Sequence, residues 1–343
     1  MTPHLLSYLC DPISKQSLSL ENAVCDAGGE IVSGELKSLS GAIYPIINGI
    51  PRFIDNSELS KTVESFGDEW NFFNFIDFKV NWLNHTVKNT FGSTEIFKNK
   101  IVVDAGGGSG AQTRWILESG AKHVIMMDLS HSVDDVVQRN LKPTGFTNYD
   151  VIQCSIDAPP IKDRSIHGMV ICHNVIQHTP SVEKTAESLF ELVAPGSEFM
   201  FNCYPTNDRG IVRWVRFHWV YEPLRRVLSK LPFWAILSYA RLMGVIRVIP
   251  GVGWVAEKSG ICVRGDVPKI PGESFFERLK REYKSTVLNT FDGYGSHEYQ
   301  HHKTNQEIID LLAALQPDAT KILNADQYLS QPQPIGCGLR VYR

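Results

Sequence analysis

An acidic residue followed by alternate glycines is the part of this sequence whose spacing most directly indicates chemistry. Ile101, Val102 and Val103 form a short apolar run that ends in Asp104, and the loop after it contains Gly106, Gly108 and Gly110. A helix is predicted to begin near Gln112. This order of strand, glycine loop and helix lets a nucleotide-like ligand lie against bare backbone beside a helix N-terminus.

A second acidic residue lies where the same kind of ligand would need it. The apolar run Val124–Met127 is predicted to be the next strand, and Asp128 follows it. A carboxylate about twenty residues after a glycine loop is placed to accept hydrogen bonds from a ribose diol. Proteins that bind NAD use a similar loop, but they usually space the glycines as G-x-G-x-x-G, and Ala111 does not fit that frame.

This arrangement resembles the class I S-adenosylmethionine-dependent methyltransferases, whose first loop carries an acidic residue and then G-x-G-x-G. The resemblance covers residues 99–205 and continues through three further predicted strands, Val151–Ile156, Gly168–His173 and Glu198–Phe201. It implies an α/β fold with a doubly wound, Rossmann-like sheet of seven strands, and S-adenosylmethionine as cofactor. One departure is Ser155, which stands where the family usually has an aspartate that contacts adenine.

The resemblance also implies which residues contact the cofactor. Trp70 ends a segment, Phe66-Gly67-Asp68-Glu69-Trp70, that covers the cofactor in many methyltransferases of this type. The alternative is that Phe66, Trp70 and Phe73 are one apolar helical stripe packed on the core. The expected cofactor-binding residues are Asp104, Gly106, Gly108, Gly110, Asp128, Ser155, Ile156, Asn174 and Trp70.

Methyl transfer depends mainly on positioning, because a sulfonium methyl group is already activated. The acceptor must lie in line with the S–CH3 bond at about 3–3.5 Å, and a hydroxyl or carbon acid also benefits from a base. Ligands of this fold bind at the carboxyl ends of parallel strands, and Asn174 and His178 follow the predicted fourth strand at that end. His178 is the candidate base, and the alternative is a buried or helix-capping histidine.

A second group of candidates lies in residues 289–302, which resemble a stretch at the mouth of the active site in similar methyltransferases. Histidines at positions 297, 301 and 302 also raise the question of a metal. Adjacent side chains of an extended segment face opposite ways, and Gly293 and Gly295 favour a loop, so no metal site is predicted. The candidate catalytic residues are therefore His178, Asn174, His297 and Tyr294.

The first 56 residues end in Tyr44-Pro45-Ile46-Ile47-Asn48-Gly49-Ile50-Pro51. This ending resembles the small zinc-ribbon-like domain that also occurs alone as the activator subunit of tRNA and rRNA methyltransferases. The four cysteine positions of metal-binding members fall here on Asp11, Ser14, Lys37 and Ser40. Lysine cannot ligate zinc in a soft tetrahedral site and serine is a poor ligand. We therefore expect a ribbon that has lost its metal, with an apolar core around Leu18, Leu20, Ile31, Ile43 and Ile46.

Composition excludes several classes of protein. Hydrophobic residues make up 43% of the 343 residues and charged residues 21%, which indicates a globular chain. The net charge of −3 provides no overall basic field for nucleic acid. Seven cysteines without a C-x-x-C pair favour reduced thiols, and no secretory signal is recognised. These features predict a cytoplasmic protein.

Residues 209–255 contain four tryptophans and eight basic residues against one acidic residue. Three interpretations stay open: a solvated helical insertion, a surface for an anionic substrate, and a peripheral contact with the inner face of the membrane. No apolar run approaches the ~20 residues that span a bilayer. The predicted parts of the chain are a degenerate ribbon (1–56), a helical connector (57–98), the cofactor-binding core (99–205), a helical substrate cover (206–300), and a C-terminal helix with the last strands of the core sheet (301–343).

The sequence therefore predicts an S-adenosylmethionine-dependent methyltransferase that acts on a small molecule or on a lipid- or sugar-linked metabolite, which the basic segment suggests is anionic. An RNA- or ribosome-linked methyltransferase and a non-catalytic S-adenosylmethionine-binding protein are the alternatives. The acidic net charge disfavours a nucleic-acid partner, as does His173-Asn174-Val175-Ile176 where such enzymes carry an N-P-P-Y-type motif. The sequence leaves the oligomeric state open.

Overall fold

The computed structural model of the chain describes most of its backbone. The described residues are 1–54, 61–206, 210–264, 267, 270, 272–295, 299–315, 321–330 and 333–343, and the side chains of 61–66 and 321 are not among them. The chain folds into two compact units. The first combines Met1–Tyr204 with Tyr299–Arg343, and the second is Pro205–Glu298.

The strands of the first unit begin in the N-terminal segment and continue through the cofactor-binding core. They are β1 (Ser19–Cys25), β2 (Ile31–Lys37), β3 (Ile43–Ile47), β4 (Ile50–Phe53), β5 (Ile101–Ala105), β6 (His123–Asp128), β7 (Tyr149–Cys154), β8 (Gly168–Cys172) and β9 (Glu198–Phe201). The short strands β10 (Tyr204–Pro205), β11 (His302–Lys303) and β12 (Lys321–Ile322) follow, and β13 (Leu339–Tyr342) is the last.

The α-helices of both units are α1 (Lys61–Phe72), α2 (Lys79–Trp82), α3 (Ala111–Glu118), α4 (Val133–Val136), α5 (Val182–Glu191), α6 (Ile211–Val215), α7 (Glu222–Leu228), α8 (Phe233–Val248), α9 (Val252–Ser259), α10 (Phe275–Tyr294), α11 (Asn305–Leu315) and α12 (Ala325–Leu329). Wider π-helical turns occupy Leu83–Phe91, Val137–Leu141 and Arg216–Tyr221. A 3-10 turn, Ile176–His178, follows β8.

The seven predicted core strands are confirmed, and within the described residues they are part of one sheet of eleven strands. The order of the seven is β7-β6-β5-β8-β9-β13-β12. Strands β5 to β9 pair in parallel, and β13 runs antiparallel to both of its neighbours. Alternate residues of the central strands face opposite layers: Val103 and Ile125 pack in one apolar cluster, and Val102 and Val124 pack in another. Both faces of the sheet are therefore covered, as a doubly wound α/β fold requires.

The N-terminal strands continue the core sheet. Strands β1 to β4 form an antiparallel meander, and β4 pairs in parallel with β7 through Arg52↔Gln153 and Phe53↔Cys154. Strand β7 is the edge of the seven-stranded sheet, so β4 covers main-chain groups that an edge strand would leave unpaired. Segment 1–56, read from the sequence as a domain of its own, lies within the first unit.

The expected core of this segment is correct at some positions and wrong at one. Ile31 and Ile46 are buried, whereas Ile43 is 54% exposed. Buried residues that the sequence did not single out complete the core, namely Leu5, Leu9, Leu36 and Phe53. Ile43 lies on the outer face because Ile46, three residues further along β3, takes the inner one, and alternate residues of a strand face opposite sides.

Polar contacts surround the positions that the resemblance aligned with zinc-binding cysteines. Asp11 is buried, and its Oδ1 accepts from the backbone N–H of Ile13 (3.0 Å) and of Ser14 (2.7 Å). Its Oδ2 accepts from the Tyr44 hydroxyl at 3.0 Å. The Lys37 ammonium lies 3.6 Å from Glu21. Among the residues that the structure describes, no cluster of His, Cys, Asp and Glu could hold a metal ion.

All seven cysteines are free thiols. None of the described helices is both long and apolar enough to cross a bilayer.

Candidate functional site

The glycine loop lies between β5 and α3 and has a backbone that only glycine adopts easily. Gly106, Gly108 and Gly110 have φ angles of +81°, +52° and +71°. The loop is also crowded, since a Cβ on Gly106 would lie 2.5 Å from Val175 and one on Gly110 would lie 2.7 Å from Val136. The alternate glycines of the sequence are thus required both by conformation and by space.

Asp104 lies at the carboxyl end of β5 and is buried. Its Oδ2 accepts from the Thr113 hydroxyl at 2.6 Å, and its Oδ1 accepts from the Gln112 amide at 2.8 Å. Both donors belong to the first turns of α3, so the carboxylate ties the strand to the helix. Burial raises the pKa of Asp104 to about 6.

Asp128 ends β6 and contacts the glycine loop directly. Its Oδ2 accepts from the backbone N–H of Gly108 at 2.7 Å. Its Oδ1 accepts from the backbone N–H of Ser130 at 2.9 Å and from the Ser130 hydroxyl at 2.6 Å. A carboxylate offers about four acceptor positions. Asp128 therefore has capacity left for a ligand hydroxyl beside the loop.

A chain of hydrogen bonds connects the N-terminal strands with Asp128. The Arg52 guanidinium on β4 donates to Gln153 Oε1 at 2.8 Å and to both carboxylate oxygens of Asp134 at 2.8 Å. Gln153 on β7 donates through Nε2 to the Ser130 carbonyl at 3.1 Å and to the Leu129 carbonyl at 3.3 Å. Because Ser130 donates to the Asp128 carboxylate, Arg52 is connected to Asp128 through Gln153 and Ser130.

Sequence reasoning missed this chain. Arg52 is 8% exposed and Gln153 is 4% exposed. A signal was present for Gln153, which is a polar residue inside the predicted apolar strand Val151–Ile156. What the sequence could not supply is that the two strands pair across 101 residues of chain.

The third predicted strand brings Ser155 and Ile156 to the same edge. Both follow β7 directly. The Ser155 hydroxyl accepts from the backbone N–H of Asp157 at 3.2 Å, and Ile156 is buried. The strand register aligns Asp128 with Gln153 and Asp104 with Met126. The predicted cofactor residues after β5, β6 and β7 are thus adjacent at one end of the sheet.

Trp70 packs on the glycine loop. A Cβ on Gly108 would lie 3.0 Å from its indole ring. The Arg139 guanidinium donates to the Trp70 carbonyl and, at 2.8 Å, to the Asn71 carbonyl, so a cation satisfies the last turn of α1. The Phe66 side chain, which shared the predicted stripe, lies outside the described residues. The structure places Trp70 both in a packed layer and over the loop.

Asn174 follows β8 at the same end of the sheet. It is exposed and has a φ of +58°, a conformation that costs free energy for a residue with a side chain. Its backbone N–H donates to Asn202 Oδ1 at 2.7 Å, and Asn202 Nδ2 donates to Asn174 Oδ1 at 2.6 Å. This reciprocal pair fixes Asn174 between the ends of β8 and β9.

His178 and Gln177 lie in the 3-10 turn after β8. His178 is buried, with Nδ1 3.2 Å from the Tyr299 carbonyl. A carbonyl only accepts, so Nδ1 carries the proton and Nε2 carries the lone pair. Gln177 is fully buried, and within the described chain neither atom of its side-chain amide has a hydrogen-bond partner. Such a group is a candidate for contact with a ligand or with water.

His173 is the other histidine near this edge, and it differs from His178. Its Nε2 lies 3.1 Å from the Thr86 hydroxyl. Burial lowers the pKa of His173 to about 4, so it stays neutral at physiological pH. His173 therefore packs against the helical connector.

The candidates from residues 289–302 are divided between the two units. Tyr294 belongs to the second unit, where it is fully buried and its hydroxyl donates to the Gly260 carbonyl. Gly293 favours a loop in the sequence but lies inside a helix, because α10 continues through Gly293 to Tyr294. His297 lies outside the described residues. His301 belongs to the first unit, with Nε2 3.0 Å from the Thr179 carbonyl.

Part of the chain matches a known family of domains. Residues 102–196 match the model of a methyltransferase domain. No protein of curated function matches the chain.

Among solved structures, the chain is similar to a complex between the Haloferax volcanii Trm112 methyltransferase activator and a methyltransferase, at 20% identity and a TM-score of 0.36 over 45% of this chain and 67% of that one. A structure described as a sarcosine dimethylglycine methyltransferase from Galdieria sulphuraria matches at 15% identity and a TM-score of 0.29, over 31% of this chain and 40% of that one. An S-adenosylmethionine-dependent methyltransferase from Mesorhizobium loti matches at 13% identity and a TM-score of 0.39, over 72% of this chain and 92% of that one.

The match of residues 102–196 spans the glycine loop, the acidic ends of β5 and β6, and the turn after β8. Residues 102–196 are therefore similar to a methyltransferase domain over the part of the chain that forms the site.

Proposed function

We propose that the chain methylates a small molecule or a lipid- or sugar-linked metabolite, with S-adenosylmethionine held at the carboxyl ends of β5, β6 and β7. The observation that carries the proposal is the Asp104–glycine loop–Asp128 network beside the turn that contains His178. In this proposal the backbone of Gly106–Gly110 contacts the cofactor, and Asp128 accepts from its ribose hydroxyls. Ser155 and Ile156 border the adenine, and Trp70 covers the loop.

The residues fit such a cofactor on two counts. The three glycines make a cradle in which any side chain would collide with Val175, Val136 or Trp70. Gln177 holds a buried amide without a partner among the described residues. When bound, S-adenosylmethionine supplies a methyl group activated by a sulfonium. The positive charge of the cofactor favours the ionised form of Asp104, whose pKa burial raises to about 6.

The residues after β8 are proposed to act on the methyl acceptor. His178 is held by the Tyr299 carbonyl in the tautomer whose Nε2 accepts a proton. Asn174, fixed by its pair with Asn202, offers a further polar contact at the end of β8. His178 is therefore assigned as general base if the acceptor is a hydroxyl or a carbon acid. Tyr294 and His297 stay predictions, and the buried hydroxyl of Tyr294 gives the former no support.

We also propose that residues 1–56 are a degenerate zinc ribbon. The support is Asp11, whose carboxylate accepts two backbone N–H groups and the Tyr44 hydroxyl at the position of a missing thiolate.

Cofactor binding is tested with Asp128→Ala. We expect calorimetry to show S-adenosylmethionine binding weakened by about 1.5–3 kcal/mol, the scale of hydrogen bonds to a charged group. Asp135→Ala is the matched control, since Asp135 is an exposed acid on the neighbouring helix α4. Unchanged affinity of Asp128→Ala would remove Asp128 from the site, and a preference for NAD would overturn the assignment of the cofactor.

Turnover is tested with S-adenosylmethionine labelled in its methyl group and a cell extract separated into water-soluble, lipid and RNA fractions. We expect label in the water-soluble or lipid fraction, a strong loss with His178→Ala, and no loss with His167→Ala, which changes an exposed histidine. Label in RNA would favour the RNA-linked alternative. Cofactor binding without transfer to any fraction would favour the non-catalytic alternative.

A further inference from the structure

The second unit has a surface that is unusual for a globular protein. Helix α8 buries Ile236, Leu237, Ala240, Met243 and Gly244. Gly244 allows close packing on α10, since a Cβ there would lie 2.7 Å from Val287. A surface helix with one packed face normally presents polar residues on the other.

The outer face of α8 and the turn after it are apolar instead. Trp234 is 70% exposed, Leu242 55%, Val245 51% and Ile249 44%. These residues recur at helical spacing on the side opposite the packed face. The second unit therefore carries large exposed apolar residues along the outer face of a packed helix, interrupted by the exposed residues Ser238 and Arg241.

Neighbouring helices carry the same kind of exposed residue. Other large apolar side chains of this unit are also more than half exposed, namely Ile211, Val212 and Trp219 around α6, Val252, Trp254 and Val255 on α9, and Phe275 and Phe276 at the start of α10. Exposed apolar residues are ordinary when scattered singly, but a series of this extent indicates an interaction surface. Tryptophan in particular is enriched where protein meets the headgroup region of a bilayer.

The charge of the same segment is opposite to that of the rest of the chain. Residues 210–264 contain nine Lys and Arg against two acids, whereas the remaining residues contain 25 against 35. Both acids are already paired: Glu222 lies 3.3 Å from Arg226, and Glu257 lies 3.2 Å from Arg247. Exposed cations such as Arg213 and Lys230 therefore give the apolar surface a positive border.

We propose that α6 to α9 and the start of α10 form a surface that binds anionic membrane lipids at the interface, without spanning the bilayer. Apolar residues would enter the boundary between headgroups and acyl chains, and the arginines and lysines would remain at the phosphates. The aliphatic residues favour lipid over nucleic acid, because single-stranded nucleic acid uses aromatic stacking and cations and has no use for exposed Ile, Val and Leu. The proposal is independent of the methyl acceptor, because lipid binding is measured without turnover.

The test is flotation of the full chain with vesicles of phosphatidylcholine alone and of phosphatidylcholine with phosphatidylglycerol. We expect flotation with the anionic vesicles that weakens as salt is added. The apolar variant Trp219→Ser, Trp234→Ser, Trp254→Ser should not float. The charge variant Arg213→Gln, Arg226→Gln, Lys230→Gln should bind about 100-fold more weakly, from roughly fivefold per cation at an anionic surface.

Control variants change residues of the first unit. Ile13→Ser, Leu39→Ser removes two apolar side chains that are 88% and 83% exposed, and it should float like the natural chain. S-adenosylmethionine affinity and circular dichroism verify that each variant is folded. Absent flotation of the natural chain, or equal flotation of all variants, would overturn the proposal. Self-association or RNA binding that depends on the same residues, without lipid binding, would also overturn it and assign the surface to that partner.

Discussion

Arg52 offers a test of whether the N-terminal strands position the cofactor site. The change is Arg52→Met, which keeps the length of the side chain and removes every hydrogen bond of the guanidinium. Gln153 Oε1 then loses its donor in a place where Gln153 is only 4% exposed, at a cost of about 1–3 kcal/mol. The Asp134 side chain is 38% exposed and is solvated by water, so its lost ion pair adds about 0–1 kcal/mol. We expect a loss of about 2 kcal/mol of unfolding free energy, or roughly 4–8 °C in Tm.

The effect on the cofactor is smaller and more specific. Without Arg52, Gln153 no longer has a fixed orientation and holds the Ser130 carbonyl less firmly. The Ser130 backbone N–H and hydroxyl that donate to Asp128 are then less constrained. A loss on the scale of one hydrogen bond, about 1 kcal/mol, weakens S-adenosylmethionine binding about fivefold. Calorimetry measures this affinity, and thermal unfolding measures the stability.

A matched control separates positioning from general destabilisation. Arg343 is 8% exposed, as Arg52 is, and donates to the Phe190 and Val193 carbonyls at 2.7 and 3.3 Å. It belongs to no part of the chain of bonds to Asp128. Arg343→Met should therefore lower Tm by a similar amount and leave cofactor affinity unchanged. Equal changes of affinity in the two variants, or no change in either, would refute the reasoning.

Three further predictions concern other parts of the first unit. The unfolded chain loses the Asp104 proton near pH 4 and the folded chain near pH 6, so this carboxyl lowers the free energy of unfolding as pH rises between those values, by about 3 kcal/mol at most. In urea unfolding, Asp104→Asn should make the free energy of unfolding less dependent on pH over this range. Parallel pH curves of the two proteins would contradict the prediction. Gln177→Leu removes a buried amide without a partner among the described residues. The variant should have a free energy of unfolding about 1–2 kcal/mol higher without ligand, and its turnover should fall. A lower free energy of unfolding would show that the amide has a partner. Metal analysis of the purified chain should find no stoichiometric zinc, and Asp11→Ala should cost about 1–2 kcal/mol because two backbone N–H groups lose their acceptor; one equivalent of zinc would contradict the degenerate ribbon.

The sequence predicted what depends on nearby residues. Each core strand is a short run of apolar residues, and the glycine spacing encodes a turn whose φ angles are local properties. The order of strands and the shared edge of Asp104, Asp128 and Ser155 followed from a resemblance to one fold family.

Features that depend on distant residues could not be read in the same way. Gly293 favours a loop when the sequence is considered alone, yet in the second unit it lets α10 pack closely, since a Cβ there would lie 3.0 Å from Val263. The Tyr221 hydroxyl also donates to the Gly293 carbonyl at 2.7 Å. The bond of Arg52 to Gln153 depends on a pairing of strands that no local pattern encodes.

The pairing of β4 with β7 has a consequence for how the chain is made. A ribosome releases Phe53 about 100 residues before its partner Cys154, which at 5–20 residues per second is an interval of roughly 5–20 s. During that time the meander has no neighbour for its last strand, and Arg52 has neither Gln153 nor Asp134. Strands β1 to β4 are thus synthesised well before the strand that β4 pairs with. Over that interval the nascent chain presents an open strand edge to chaperones and to other nascent chains.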